Sequence, residues 1–332
     1  MHILIADNNK LPEHKYGGTQ RVLWDLGSEL VKMGHKVTYL IKDGSYCNFA
    51  NVLIYDPTKP LYQQITDNID IVHYNFTIPK EDLNKFKKPY LFTMHGNVGT
   101  DKFIPINTVF VSQNHAARYG SKSFVYNGLN WDLYPNPQLS QKRIYYHFLG
   151  RANWKVKNMN GACQIAFKAN KELFVMGGNR WNYTNLKRNF KYMMSPKIKF
   201  MGMVDNTTKM KVMNSSKGLI FPVRWHEPFG LAIIESLYAG CPVYGTPYGS
   251  LKELVSTDVG ILNNSSDELA NAIKNSSFSP KICNEYAVDN FNSKVMTETY
   301  LKLYKRILDG NELNPELPYL KESKLKKLLP FE

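Results

Sequence analysis

The stretch Lys217–Ser250, KGLIFPVRWHEPFGLAIIESLYAGCPVYGTPYGS, constrains the fold more than any other part of the chain. Gly218–Phe221 is a short apolar run suited to a buried strand, and Pro222 ends it. After a loop over Val223–Glu227, Pro228 suits the opening of a helix that runs to Tyr238, and Ala239-Gly240 closes it before a strand over Cys241–Tyr244. On a helical wheel Leu231, Ile233, Ile234, Leu237 and Tyr238 cover a wide arc, which only Glu235 and Ser236 interrupt, so the helix is expected to be buried between layers. Glu235 on such a helix, and Glu227 just before its positive end, are costly unless something polar meets them. Two readings stay open: an N-terminal charge with an edge carboxylate reaching solvent, or a ligand site.

The rest of the chain alternates short apolar runs with helical patterns, which argues for parallel sheets. His2–Ala6 is a strand, and Gly17-Gly18 precedes a helix with Thr19 as N-cap and Val22, Leu23, Leu26, Leu30 and Val31 as its apolar stripe. Neither GxGxxG nor GxxxxGK[ST] occurs, which disfavours a nicotinamide dehydrogenase or a P-loop ATPase. Strands are expected at Val52–Tyr55, Asp70–Tyr74, Tyr90–Met94, Thr108–Ser112 and Ser123–Tyr126. His95 falls at a strand's carboxyl end, where open α/β sheets bind ligands. The polar, proline-bearing Asn130–Gln141 reads as a linker. A second series follows: strand Tyr145–Leu149 into Gly150-Arg151, a loop with Lys155 and Lys157, a helix Met159–Asn170, and a strand Leu173–Met176. Then come a helix near Asn182–Lys191, a strand Lys197–Met201, a helix near Thr207–Asn214 and the opening stretch. Helices near Leu251–Val255, Asp267–Lys274 and Lys281–Asp289 and a long one at Ser293–Leu308 complete it. The domains expected are 1–136, 137–291, and 292–332 as a helix crossing back to the first domain plus a basic tail.

With 332 residues, 43% of them hydrophobic, the chain has room for two cores. It has no apolar run of membrane-spanning length, and Met1–Ala6 reads as a strand rather than a signal peptide, so a cytoplasmic protein is expected. Cys47, Cys163, Cys241 and Cys283 are far apart and suggest neither zinc nor disulfides. Sixteen Lys and Arg against Glu172 and Asp205 between Lys142 and Lys217 concentrate a net charge of +14 there. That half-domain suits a phosphorylated small molecule or an anionic membrane; nucleic acid is disfavoured because no recognition motif accompanies the charge. The basic tail Asn311–Glu332 reads as packed on the surface or disordered, with an amphipathic contact with the inner face of an anionic membrane as the alternative.

Taken together, Tyr16-Gly17-Gly18-Thr19, Gly150-Arg151 with Lys157, and HEPFGLAIIES resemble glycosyltransferase family 4, retaining nucleotide-sugar transferases of GT-B fold. The resemblance covers Met1 to about Leu308, and its specific part is Glu227-Pro228-Phe229-Gly230-Leu231, then Glu235, then Ala239-Gly240-Cys241-Pro242-Val243. It implies an α/β, GT-B chain of two Rossmann-like parallel-sheet domains facing each other across a cleft. The donor would be a UDP- or GDP-linked sugar and the acceptor a hydroxyl of a glycan or glycolipid, in cell-surface polysaccharide synthesis. Catalytic roles are implied for Glu227, His95, Arg151 and Lys157. Donor-binding roles are implied for Gly17, Gly18, Glu235, Phe229, Gly230, Leu231 and Lys155, with backbone near Gly202–Val204 reaching the base. Lys157 is the preferred diphosphate ligand and Lys155 the alternative, since Asn158 stands where the family has glycine. Arg151, Lys157 and the helix-start amides suit a leaving diphosphate. No cofactor or metal is expected, and no DxD motif is present. The alternatives are a glycosidase or nucleotide-sugar epimerase of similar fold, or a non-catalytic binding module.

Overall fold

The computed structural model describes residues 1–12, 17–178, 192, 194–323, 325 and 328–332. The chain forms two units. Gly17–Asn130 and Phe291–Leu325 build the first with the opening strand, and Trp131–Asn290 build the second with residues 328–332.

The first unit's sheet holds β1 (His2–Ala6), β2 (Lys36–Ile41), β3 (Asn51–Ile54), β4 (Ile71–Tyr74), β5 (Tyr90–Met94) and β6 (Thr108–Phe110), ordered β3-β2-β1-β4-β5-β6. Every pairing is parallel. β1 and β4 are buried along their whole length, as strands covered on both faces must be. The Gly18–Lys32 helix buries Val22, Leu23, Leu26 and Leu30 against this sheet. Its N-cap is Gly17, with no side-chain cap, so Thr19 lies inside the first turn and not at the cap. Gly27 lets the helix sit on Tyr39, whose hydroxyl would be 2.0 Å from an added Cβ. The Ser293–Leu308 helix joins this unit through a buried polar chain. His73 Nδ1 meets the Tyr304 hydroxyl at 2.7 Å, its Nε2 meets Thr93 Oγ1 at 2.7 Å, and Thr93 Oγ1 meets the Tyr300 hydroxyl at 3.0 Å.

The second unit repeats the plan with β7 (Tyr145–Leu149), β8 (Leu173–Met176), β9 (Ile198–Gly202), β10 (Ser216–Phe221), β11 (Val243–Gly245) and β12 (Gly260–Leu262). Its order, β12-β11-β10-β7-β8-β9, is that of the first sheet read from the other edge, and it too is all parallel. Each sheet therefore reverses strand order once, between β1 and β4 and between β7 and β10. Ligands of open α/β sheets bind outside the carboxyl ends of strands at such a point.

Three expectations change. Ser123–Tyr126 forms no strand; Phe124 makes one isolated bridge to Phe110. Β-pairing stops at Phe110 because Ser112 instead caps the Gln113–Arg118 helix, accepting from the His115 amide. Residues 131–141 do not float as a linker, since Trp131 stacks on Tyr238 with ring centroids 4.3 Å apart and planes 7° apart. The tail forms no helix among its described residues. Leu313 and Leu320 are buried instead, Asn314 donates to the Ile106 and Thr108 carbonyls, and Arg118 grips Glu322 with two bonds of 2.7 and 3.1 Å. The helix expected near Asn182–Lys191 lies outside the described residues. Among the described residues no helix is long and apolar enough to cross a membrane.

Candidate active site

At the second unit's reversal point the chain leaves β7 through Gly150 and Arg151 and turns through a short 3-10 helix, Lys155–Lys157. Asn158 then adopts the left-handed conformation (φ 52, ψ 48) and caps the Met159–Lys168 helix, its Oδ1 accepting from the Gly161 amide. Glycine is the easiest residue at such a backbone position and asparagine the next, which explains how Asn158 serves there. Asn158 Nδ2 also donates to the Pro222 carbonyl at 2.8 Å, tying this turn to the loop after β10.

That tie brings Lys157 to Glu227. The ammonium donates to Oε1 at 2.9 Å and Oε2 at 2.7 Å, with Lys157 9% and Glu227 5% exposed. Trp225 Nε1 gives Oε2 a further bond of 2.7 Å, and the ammonium lies 5.1 Å from the Trp225 ring centroid and 5.3 Å from that of Phe221. A buried ion pair persists only with such geometry, because hydrogen bonds and aromatic faces must offset the lost hydration. Lys155, by contrast, is exposed. Arg151 is exposed too, its guanidinium 4.9 Å from the Trp154 ring centroid.

The backbone of Glu227 is held from the far side by the loop after β11. Glu227 bridges Gly249, the Ser250 amide donates to the Glu227 carbonyl at 2.9 Å, and Ser250 Oγ donates to the Phe229 carbonyl at 2.6 Å. Gly249 has φ +65, and a Cβ there would lie 2.2 Å from the Glu227 nitrogen. The helix starts at Leu231, later than Pro228 suggests, because Gly230 turns at φ +87 and Phe229 stays in the loop, buried. Its N-terminus has no side-chain cap; the Ile233 amide turns back to the Gly230 carbonyl at 2.9 Å, and the helix's positive end lies here.

Glu235 sits within this helix at 2% exposure, which rules out an edge carboxylate reaching solvent. It forms a buried ion pair with Lys209 and accepts from the Tyr134 hydroxyl at 3.1 Å. The Lys209 ammonium lies 5.4 Å from the Tyr134 ring centroid. Lys209 comes from the Asn206–Asn214 helix, capped by Asp205, whose Oδ1 accepts from the Thr208 amide at 2.7 Å. The half-buried Val204 precedes that cap. Neither Lys209 nor Tyr134 is marked by any local pattern: one is a lysine among many in a basic segment, the other lies in the proline-bearing stretch. The two glutamates of the motif thus belong to two clusters, each with its own lysine.

In the first unit, Gly17 and Gly18 open the helix that follows β1, and His95 follows β5. His95 Nε2 lies 2.9 Å from Asn75 Oδ1, whose own Nδ2 donates to the Ala6 carbonyl, so the imidazole is assigned as the donor. Burial pushes its pKa down to about 4, leaving a neutral ring. Asp7, which no sequence motif marks, is buried directly after β1; burial raises its pKa, while the Asn9 amide and side chain donate to its carboxylate at 2.8 and 2.9 Å.

Two Rossmann-like units with these sheets define the GT-B fold. Residues 132–287, which carry both lysine–glutamate pairs and Arg151, match the family described as Glycosyl transferases group 1. No curated protein matches the chain in sequence. Among solved structures, AviGT4, a glycosyltransferase involved in avilamycin A biosynthesis, superposes with a TM-score of 0.78 at 18% identity, over 94% of this chain and 99% of that one. The sucrose-phosphate synthase of Thermosynechococcus elongatus gives 0.74 at 16% identity, over 93% and 100%. Anabaena HepE in complex with UDP and glucose gives 0.65 at 17% identity, over 92% and 99%.

Proposed function

We propose that the chain is a retaining glycosyltransferase of family 4 that moves a sugar from a nucleoside-diphosphate donor to a hydroxyl of a glycan or glycolipid. The observation that carries the reading is the buried Lys157–Glu227 pair at the reversal point of the second sheet, inside the segment that matches the group 1 transferases. A solved structure of the same fold is described with UDP and glucose, which supports a UDP-linked donor over a GDP-linked one.

In this reading Lys157 and Arg151 meet the diphosphate and stabilise the charge that grows on it as the sugar leaves. The amides at the start of the Leu231–Tyr238 helix add donors. Glu227 accepts from a sugar hydroxyl, held in place by Lys157 and Trp225. Glu235, oriented by Lys209 and Tyr134, accepts from the ribose hydroxyls. The transfer is a front-face displacement in which the acceptor oxygen bonds to the anomeric carbon as the bond to the diphosphate breaks, and the acceptor's proton passes to a diphosphate oxygen. His95, neutral, serves as a hydrogen-bonding group rather than a proton carrier. The reading assigns no step to a metal. A glycosidase is less well supported, because its general acid must carry a proton whereas both glutamates stand in ion pairs with lysine.

The test begins with thermal shift against UDP, GDP and their sugars, followed by hydrolysis of the best donor. Glu227→Ala and Arg151→Ala are each expected to lower turnover on the order of a hundredfold with the fold retained. Wild-type turnover in either variant, or no shift with any nucleotide at millimolar concentration, refutes the assignment.

A further inference from the structure

The residues that hold the Glu227 loop include a segment that the proposed reaction does not use. We propose that residues 328–332 are a positioning clip, which fixes the Glu227 loop against the Lys157 turn and so sets the geometry of the diphosphate end of the donor site. The inference rests on the reading above for its consequence but not for its geometry.

Arg224 is the centre of the clip. Its amide donates to the Val156 carbonyl at 2.7 Å, next to Lys157. Its carbonyl accepts from the Leu329 amide at 2.7 Å, and its Nε donates back to the Leu329 carbonyl at 2.7 Å. Three bonds therefore run through one residue, three positions before Glu227, and two of them go to the clip. Leu329 itself is 5% exposed. The next residue reaches the other loop that holds Glu227: the Tyr248 hydroxyl donates to the Pro330 carbonyl at 2.7 Å, beside Gly249, the bridge partner of Glu227. Phe331 lies against Gly161 at the start of the Met159–Lys168 helix, where an added Cβ would be 2.7 Å from its ring. Glu332 closes the segment with two backbone bonds. The Ser266 amide donates to its carbonyl at 2.6 Å, and its own amide donates to the Asn264 carbonyl at 3.0 Å.

The clip touches the Arg224 loop and the Tyr248 loop, the two that fix the backbone of Glu227, and through Val156 it reaches the turn that carries Lys157. It has no bond to the Lys209–Glu235–Tyr134 cluster among those described. A tail that merely covered surface would not return two bonds to one loop residue. The physical consequence is selective. Loss of the clip frees the Glu227 loop and the Lys157 turn to move relative to each other, while the ribose end keeps its support. A catalytic group displaced by about 1 Å costs on the order of a hundredfold in rate, and partial loosening is expected to cost about tenfold.

The experiment compares the full chain with a deletion of residues 328–332, and with Leu329→Pro and Tyr248→Phe, which remove one bond each. Amide hydrogen exchange is the first readout. Deletion is expected to speed exchange at Arg224 at least tenfold, with the β7 and β10 amides unchanged. The second readout is affinity for UDP and UMP, or for GDP and GMP if that pair shifts the melting temperature. Affinity for the diphosphate is expected to fall about tenfold and that for the monophosphate less than twofold, with turnover falling about tenfold. Leu329→Pro should show the same pattern in smaller degree, which covers a deletion that fails to fold. Unchanged exchange at Arg224 in both the deletion and Leu329→Pro overturns the clip. Equal loss of mono- and diphosphate binding overturns its selective role. A wild-type chain that binds no nucleotide refutes the reading of the site, and exchange alone then decides the clip.

Discussion

Replacing Lys209 by methionine isolates the part of the site that the motif does not announce. The ammonium and its partner carboxylate have side-chain exposures of 6% and 3%, so neither regains water when the other is removed. Lys209→Met leaves the Glu235 charge buried, a loss of about 3–5 kcal/mol. For a unit of this size that lowers Tm on the order of 10 °C. Glu235→Leu alone takes the carboxylate away from the buried ammonium and is expected to cost a similar amount. The double variant Lys209→Met/Glu235→Leu removes both charges and restores an apolar contact, so its stability should return to within about 2 kcal/mol of the parent. The cycle then shows a coupling of roughly 3 kcal/mol or more, far above the ordinary additivity error of about 0.5 kcal/mol. Urea unfolding supplies the stabilities, and titration calorimetry with the best nucleotide supplies the function. Lys209→Met is expected to weaken nucleotide binding about tenfold by misplacing Glu235, and the stable double variant should not recover it. A coupling below about 0.5 kcal/mol refutes the buried pair. A double variant that binds nucleotide like the parent refutes the ribose role of Glu235 while leaving the stability argument intact.

Three further changes test other features. Burial raises the Asp25 carboxyl to about 7 against the opposing bond from the Asn130 amide, so the folded state holds a proton that the unfolded chain releases near pH 4. This contribution to stability is full below pH 4 and is lost as pH rises to 7, by on the order of 4 kcal/mol. Asp25→Asn should therefore raise Tm by several degrees at pH 8 and change it little at pH 4; an equal effect at both would contradict the burial argument. Gly249→Ala meets both the positive φ and the 2.2 Å approach to the Glu227 nitrogen, and turnover should drop more than tenfold with far-UV circular dichroism preserved. Trp225→Phe keeps an aromatic face for Lys157 but deletes the bond to Glu227 Oε2, for a loss of about tenfold in kcat; parental kcat would show that the indole does not orient the carboxylate.

The sheets were legible because their signal is local. Fully buried strands such as HILIA at β1 and YYHFL at β7 read as apolar runs, and the helices between them carry their own periodicity. The shared strand order of the two sheets has no local signal, since it depends on which strands pair across a crossover. Trp131 and Tyr134 were hidden for a related reason. Their stretch is polar and proline-bearing on average, yet these two rings anchor it, one stacked on Tyr238 and the other bonded to Glu235. For the tail the sequence left a packed segment and a membrane-facing one both open. Its composition suits a membrane-facing amphipath, but Leu313, Leu320 and Leu329 are buried within the protein, and its backbone is tied to Arg224, Asn264 and Ser266.

The same limit applies to the charges of the site, where it bears on mechanism. A glutamate on a helix that is apolar nearly all round calls for a buried cation, and that inference needs only the sequence. Which of 42 lysines and arginines answers it does not follow, because the partner of Glu235 is 26 residues away and that of Glu227 is 70 away. The structure resolves both, and the electrostatic picture changes with it. Lys157 cancels Glu227 and Lys209 cancels Glu235, so the two clusters together carry no net charge. Two of the charges that make up the +14 of Lys142–Lys217 are thus engaged by carboxylates; in the proposed reading the diphosphate is met by Arg151, by the helix-start amides and by Lys157 shared between phosphate and Glu227. A ligand met by so few mobile charges should bind with a shallow salt dependence, because fixed dipoles and buried pairs are screened far less than a field of surface lysines. Nucleotide affinity that fell steeply between 50 and 500 mM salt (roughly a Debye length of 14 Å shrinking to 4 Å) would place the diphosphate on the exposed basic face instead.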